Sequence, residues 1–155
     1  MNDQIFEQAL LNEIESSSKR GAQYNIEILN EELIPTLIFL TASNDIKVAP
    51  IEVDRKDIPL LLSHILYDQQ AKAYSLILEA WSTPFMKKAL EYGGRVRDMP
   101  LDDRFEIVNI LLVKRNIGVY KYLISRIDTN TDGSRRIKEW DEGTVTGHNI
   151  CVTNW

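Results

Sequence analysis

Residues 73–81 read AYSLILEAW, and this stretch decides the fold. Tyr74, Leu76, Leu78 and Ala80 alternate with Ser75, Ile77, Glu79 and Trp81, the period of two that defines a strand. One face is wholly apolar, while Ile77 and Trp81 enrich the other. Its end is different. A core has no use for Glu79, and the chain runs on through STPFMKKALEYGG (82–94) into the charge-dense RVRDMPLDDR (95–104). Apolar residues that demand burial thus meet a polar cluster that no core requires, and residues 73–104 are where a site is expected.

Downstream of that strand, Thr83-Pro84 has the form of an N-cap followed by a first-turn proline. Phe85 to Tyr92 is compatible with a short helix, and Gly93-Gly94 stops it. Phe105 to Lys114 is apolar on both faces at its middle, as a central strand is. Arg115-Asn-Ile-Gly118 joins it in a hairpin to a looser strand over Val119 to Ile127. After a turn at Thr131-Asp-Gly133 a last strand is predicted from Arg135 to Glu142, with 143–155 as a tail or short extra strand.

Upstream, Ile5, Phe6, Ala9, Leu10 and Ile14 fall near one side of a helical period, which predicts a first helix over Gln4 to Ser16 that ends near Ser17 to Gly21. Leu37 to Thr41 and Ile46 to Val53 read as a hairpin around Ser43-Asn44-Asp45. Pro50 cannot donate to a ladder, which puts the second strand at an edge or a bulge at that position. Asp54 is a candidate N-cap for a helix in which Ile58, Leu61, Leu62, Ile65, Leu66 and Gln69 recur at helical spacing, ending near Lys72, with Pro59 in the first turn. The order is helix, strand, strand, helix, strand, short helix and three strands. It predicts a single α+β domain over 1–155, an antiparallel sheet of about five or six strands with the two main helices on one face. Profilin-like and roadblock-like folds share that order, an analogy that carries no function.

Composition bounds the function. A chain of 155 residues, 44% apolar and 26% charged, buries roughly two thirds of its unfolded surface and needs no staple. The start carries acids where a signal peptide carries positive charge, and no apolar run reaches the roughly 18 residues of a membrane span. A cytoplasmic protein away from membranes is expected. The single cysteine, Cys151, with His64 and His148, cannot make an all-Cys/His four-ligand zinc site. His64 reads as a boundary residue of the second helix, bonded to backbone, and no cofactor is indicated. A net charge of -5 disfavours nucleic acid, whose phosphates demand a clustered positive surface.

Two constellations carry chemistry. Asp128, Asn130, Asp132, Gly133 and Glu139 satisfy D-x-[DN]-x-[DN]-G-x5-E, the calcium loop of EF-hands. Arg135 stands where that loop places an aliphatic residue, the flanks read as strands, and Asp, Asn and Gly are equally what a hairpin turn wants. The second constellation joins Glu79 and Trp81 to Arg95, Arg97, Asp98, Asp102, Asp103 and Arg104. Its acids suit proton transfer or the binding of a cation, and its arginines suit a phosphate or carboxylate. Its plainer reading is a turn whose ion pairs pin the loop to the sheet.

Leu78-Glu-Ala-Trp81, followed by Pro100, Asp103-Arg104 and Glu106-Ile-Val, resembles a family of small bacterial proteins in which a strand ending Glu-Ala-Trp leads through a Pro-containing Asp-Arg-Glu turn into another strand. Arg126-Ile127, Gly133 and Ile137-Lys-Glu-Trp140 resemble its closing hairpin. Relative to that pattern, Phe85 to Gly94 is an insertion and Phe105 separates Arg104 from Glu106. The resemblance implies the sheet and highlights Glu79, Trp81, Asp103 and Arg104, with no activity attached. The leading expectation is a small interaction module, encoded by a phage or other mobile element, that contacts a protein partner or a second copy as a homodimer. The alternatives are a small-molecule-binding or hydrolytic protein with a pocket near 79–104, and calcium binding at 128–139.

Overall fold

The computed structural model describes residues 3–143 and Trp155. His148, Cys151 and nearly all of the 143–155 tail lie outside the described residues. Helix α1 spans Asp3–Gln23, and the chain continues without a break as a π-helical turn over Tyr24–Leu29. The hairpin β1 (Thr36–Leu40) and β2 (Ile46–Pro50) leads through a 3-10 turn to α2 (Ile58–Asp68). Strand β3 (Ala73–Ser82) precedes the short α3 (Met86–Glu91), followed by β4 (Phe105–Lys114), β5 (Gly118–Thr129), β6 (Arg135–Ile137) and β7 (Asp141–Glu142). The strands pair antiparallel in the order β2-β1-β3-β4-β5-β6, with β7 also on β5. The α+β class and the element order agree with the sequence.

The two helices, expected on one face, take opposite faces. Ile38, Leu40, Ile77, Val108, Ile110 and Leu112 pack with Ile14, Ala22 and Ile26 on the α1 side. Leu37, Phe39, Tyr74, Leu76, Leu78 and Leu111 pack with Ile58, Leu62 and Leu66 of α2 on the other. The reason is in the strands. Leu37 to Leu40 is an unbroken apolar run and β4 is apolar on both sides, so each face of the sheet must be covered.

Helix α1 also outlasts its expected end. Its buried stripe is Leu11, Ile14, Ser18 and Ala22, and Ile26 continues it, whereas Ile5 and Phe6 stay exposed. Serines 16–18 are indifferent helix formers, but Ser18 lies fully buried against the sheet. Its hydroxyl donates to Ile14 O (2.7 Å) and meets Ser75 Oγ at 2.7 Å. The Ser18 proton is used on its own helix, so Ser75 is the donor to Ser18. Tertiary packing thus carries the helix past the serines, and Asn30, with φ 51°, ends the π turn.

Helix α2 stops at Asp68, short of Lys72, because Gln70 turns left-handed at φ 49°. His64, expected at a boundary, lies on its exposed side. The predicted last strand is broken in two. Between β6 and β7 the register against β5 moves by one residue, the mark of a bulge, where Ser125 Oγ donates to Lys138 O (2.9 Å) and Lys138 N to Arg126 O (3.0 Å). Strand β2 is an edge, as Pro50 implies. At the far end of the sheet the Trp155 indole N–H donates to Ala71 O (2.5 Å) with its ring 5.2 Å from that of Tyr74.

Candidate functional site

Antiparallel pairing of β3 with β4 sets Trp81 opposite Glu106 and Glu79 opposite Val108. Thr129 faces Arg135 across β5 and β6. By the alternation of strands, Glu79, Trp81, Glu106 and Arg135 all point to the α1 side. They sit beyond the end of the π turn, where helix no longer covers the sheet, and the loop Asn30 to Leu33 closes over them.

Arg135 is the hub. Its Nη1 donates to Glu79 Oε1 at 2.5 Å and reaches Glu106 Oε2 at 3.4 Å, its Nη2 donates to Glu31 O, and its Nε donates to Asn30 Oδ1 at 3.4 Å. The side chains of Arg135 and Glu79 are each only 13% exposed. The second carboxylate oxygen of Glu79 accepts Leu33 N–H at 2.8 Å, and Asn30 Nδ2 donates to Gly133 O at 3.1 Å. One guanidinium therefore ties the loop after the helix, the end of β3, the start of β4 and the β5–β6 hairpin together. Burial, and the Glu79 carboxylate beside it, push the Glu106 carboxyl above the usual range, against the downward pull of Arg135.

Around this hub opens a cleft of about 730 Å³, which Trp81 and the loop Gly94 to Arg97 wall, with Glu32 and Arg55 at its lining. Arg55 donates to the backbone carbonyl of Glu79, past the last β1–β3 pair at Thr36 and Ile77, so it caps a carbonyl on the open edge of β3. Arg95 pairs with Asp98 at 3.0 Å. The Arg104 guanidinium stacks over Trp81, 4.1 Å from the ring centroid, and donates to Arg97 O. Its Nε is buried without a hydrogen-bond partner among the described residues, so the π face of Trp81 compensates that charge.

No family model, curated protein or solved structure matches the chain. The resemblance drawn from Leu78 to Trp81, Pro100, Asp103 to Val108 and the closing hairpin rests on those short motifs, and function has to be read from the cleft itself.

Of the residues singled out in the sequence, Glu79, Trp81, Arg95 and Arg97 line the cleft and Arg104 backs its tryptophan wall. Asp103 does not join them. Its carboxylate is held by Lys88 at 2.7 Å and its backbone carbonyl accepts Thr83 Oγ1 at 2.5 Å, so it fastens α3 to the turn before β4, the plainer reading of that charge cluster. Glu106, Arg135, Arg55 and Glu32 were not anticipated as site residues. Two of them left a signal. Glu106 shares the stripe of Val108, Ile110 and Leu112, where a carboxyl needs a cation. Arg135 breaks the calcium pattern at a position meant for an aliphatic side chain, and it is that cation.

The stretch Asp128 to Glu139 folds as the β5–β6 hairpin. Asn130 N bonds to Ser134 O (2.8 Å), and Asp132 Oδ1 accepts both Ser134 N–H (2.9 Å) and Ser134 Oγ–H (2.6 Å), which holds the Asp132 carboxyl below its usual range. Asp128 pairs with Lys138 at 3.2 Å and Arg126 at 3.7 Å. Among the described residues, no three His, Cys, Asp or Glu side chains gather where they could hold a metal ion, and no helix is long and apolar enough to cross a membrane.

Proposed function

We propose that this chain is a binding protein and that the cleft at the end of β3 holds a small molecule. The observation that carries the reading is the convergence of Glu79, Trp81, Arg95 and Arg97 on one cleft of about 730 Å³, within the roughly 300–1,000 Å³ of small-molecule sites. An indole wall with a few convergent polar groups is the usual make-up of such a site. Binding is favoured over hydrolysis because no Ser, Thr, Cys or His side chain lines the cleft among the described residues, and Glu79 is engaged by Arg135 and Leu33 N–H. A fragment library screened by thermal shift tests this: compounds that raise the melting temperature of the wild type and leave Trp81→Ala unmoved support it. A screen in which no compound separates the two proteins refutes it.

A second reading, contact with a protein partner or a second copy, is favoured by α3. Met86 and Leu90, one turn apart, are 72% and 75% exposed beside Phe85 and Lys87. The sheet edges are poorer candidates, since β2 ends at Pro50 and the β6–β7 edge is bulged. If copies associate through α3, Met86→Glu with Leu90→Glu halves the mass found by light scattering; an unchanged mass removes α3 from that role.

A further inference from the structure

We propose that the ligand of the cleft is a small anion, a molecule with a carboxylate or phosphate group that Arg97 takes while its apolar part lies against Trp81. The inference rests on the reading of the cleft as a small-molecule site and names the chemistry of what enters it.

Four arginines line the cleft against three glutamates, in a chain whose net charge is -5. Most of those cations are committed. Arg135 is saturated by Glu79, Glu106, Glu31 O and Asn30. Arg95 has Asp98, and Arg55 caps the Glu79 carbonyl. Arg97 differs: its guanidinium makes no ion pair or hydrogen bond among the described residues, although its backbone carbonyl is fixed by Arg104. The fork is free while the main chain beneath it is held. A guanidinium so placed offers two parallel N–H donors to a carboxylate or a phosphate.

The acids of the lining do not cancel it. Glu79 is bound on both oxygens, one by Arg135 and one by Leu33 N–H. Glu106, pushed upward by burial and by Glu79, retains its proton to higher pH than an ordinary glutamate and repels an incoming anion less. Glu32 stands exposed at the rim, where solvent screens it. Size selects a small anion over a polyanion. The unpaired Arg97 guanidinium at the cleft attracts a compact anion, while the acidic remainder of the surface repels a nucleic acid that would need an extended basic track.

The test follows the Trp81 indole N–H signal by NMR, assigned by its loss in Trp81→Phe, during titration at constant ionic strength. The probes are benzoate, phenyl phosphate and inorganic phosphate, with benzamide as the neutral shape-mate of benzoate. The proposal expects benzoate or phenyl phosphate to move the signal saturably, benzamide at least tenfold more weakly. Arg97→Gln should weaken the anion at least tenfold while leaving the urea midpoint unchanged, because Arg97 is exposed. A response to phenyl phosphate and inorganic phosphate without benzoate would place the source among phosphates, and the reverse among carboxylates. If benzamide matches benzoate and Arg97→Gln changes nothing, the anion assignment is overturned and the cleft stands as a site for neutral ligands. If neither these probes nor the fragment library moves Trp81, the small-molecule reading falls with it.

Discussion

Arg135→Met should be the most destabilising single change at the site, and its size follows from burial. The variant keeps the apolar stem and removes the guanidinium from Glu79, Glu106, Glu31 O and Asn30. On a solvated surface such pairs contribute about 0–1 kcal/mol. Here Arg135 and Glu79 are 13% exposed and Glu106 is 26% exposed, so two carboxylates are left half-desolvated and facing each other. Breaking a buried pair from one side costs about 3–5 kcal/mol. For a chain of this length that is a fall in melting temperature on the order of 6–20 °C. The loss depends on pH with a definite sign. Without the cation Glu106, already pushed upward by burial and by the Glu79 carboxylate, binds its proton more tightly in the folded than in the unfolded chain, so folded stability is retained at low pH and falls as pH rises through its raised pKa. Urea unfolding at pH 5 and pH 7.5 reads this, and the gap between variant and wild type should be wider at pH 7.5. Adding Glu79→Gln and Glu106→Gln to Arg135→Met should restore most of the loss, because neutral amides need no cation. A gap under about 1 kcal/mol, equal at both pH values, would refute the reasoning and make Arg135 an ordinary surface residue.

Ser18→Ala should cost about 1–3 kcal/mol in urea unfolding, because it leaves the buried Ser75 hydroxyl without its acceptor. The double variant with Ser75→Ala should recover part of that, and a Ser18→Ala variant as stable as the wild type would mean that packing alone holds the helix there. Tyr120, half-buried beside Glu15, has its phenol pushed up to about 12, first by burial and then by the Glu15 charge. Its folded form holds its proton above the ordinary value, so its contribution to stability is complete below pH 10 and is lost as pH rises toward about 12. Ultraviolet titration of wild type against Tyr120→Phe checks this, and a wild-type curve with every tyrosine ionising near 10 would contradict it.

The elements of the fold were legible because they rest on local periodicity. The alternation of 74–81, the doubly apolar run of 105–114 and the stripe Ile58, Leu62 and Leu66 each named their own element. The departures come from contacts between elements. Ser16 to Ser18 have no local reason to stay helical, and Ser75, far along the chain, supplies one. The two faces of the sheet were also written in the strands, as the unbroken run Leu37 to Leu40, but only packing shows that one helix must go to each.

The site divides in the same way. Sequence alone brought forward Glu79 and Trp81, because a carboxyl and an indole at the end of an apolar strand stand out against a period of two, and it brought forward the arginines that follow them. It also excluded, by counting Cys and His, an all-Cys/His zinc site. It could not bring Arg135 to Glu79, fifty-six residues away, nor turn Asp103 outward to Lys88. Charge pairing acts through space over a few ångströms, while periodicity reports only a residue's own element. Which arginine is committed and which is left free at the cleft was therefore decided by the tertiary structure alone.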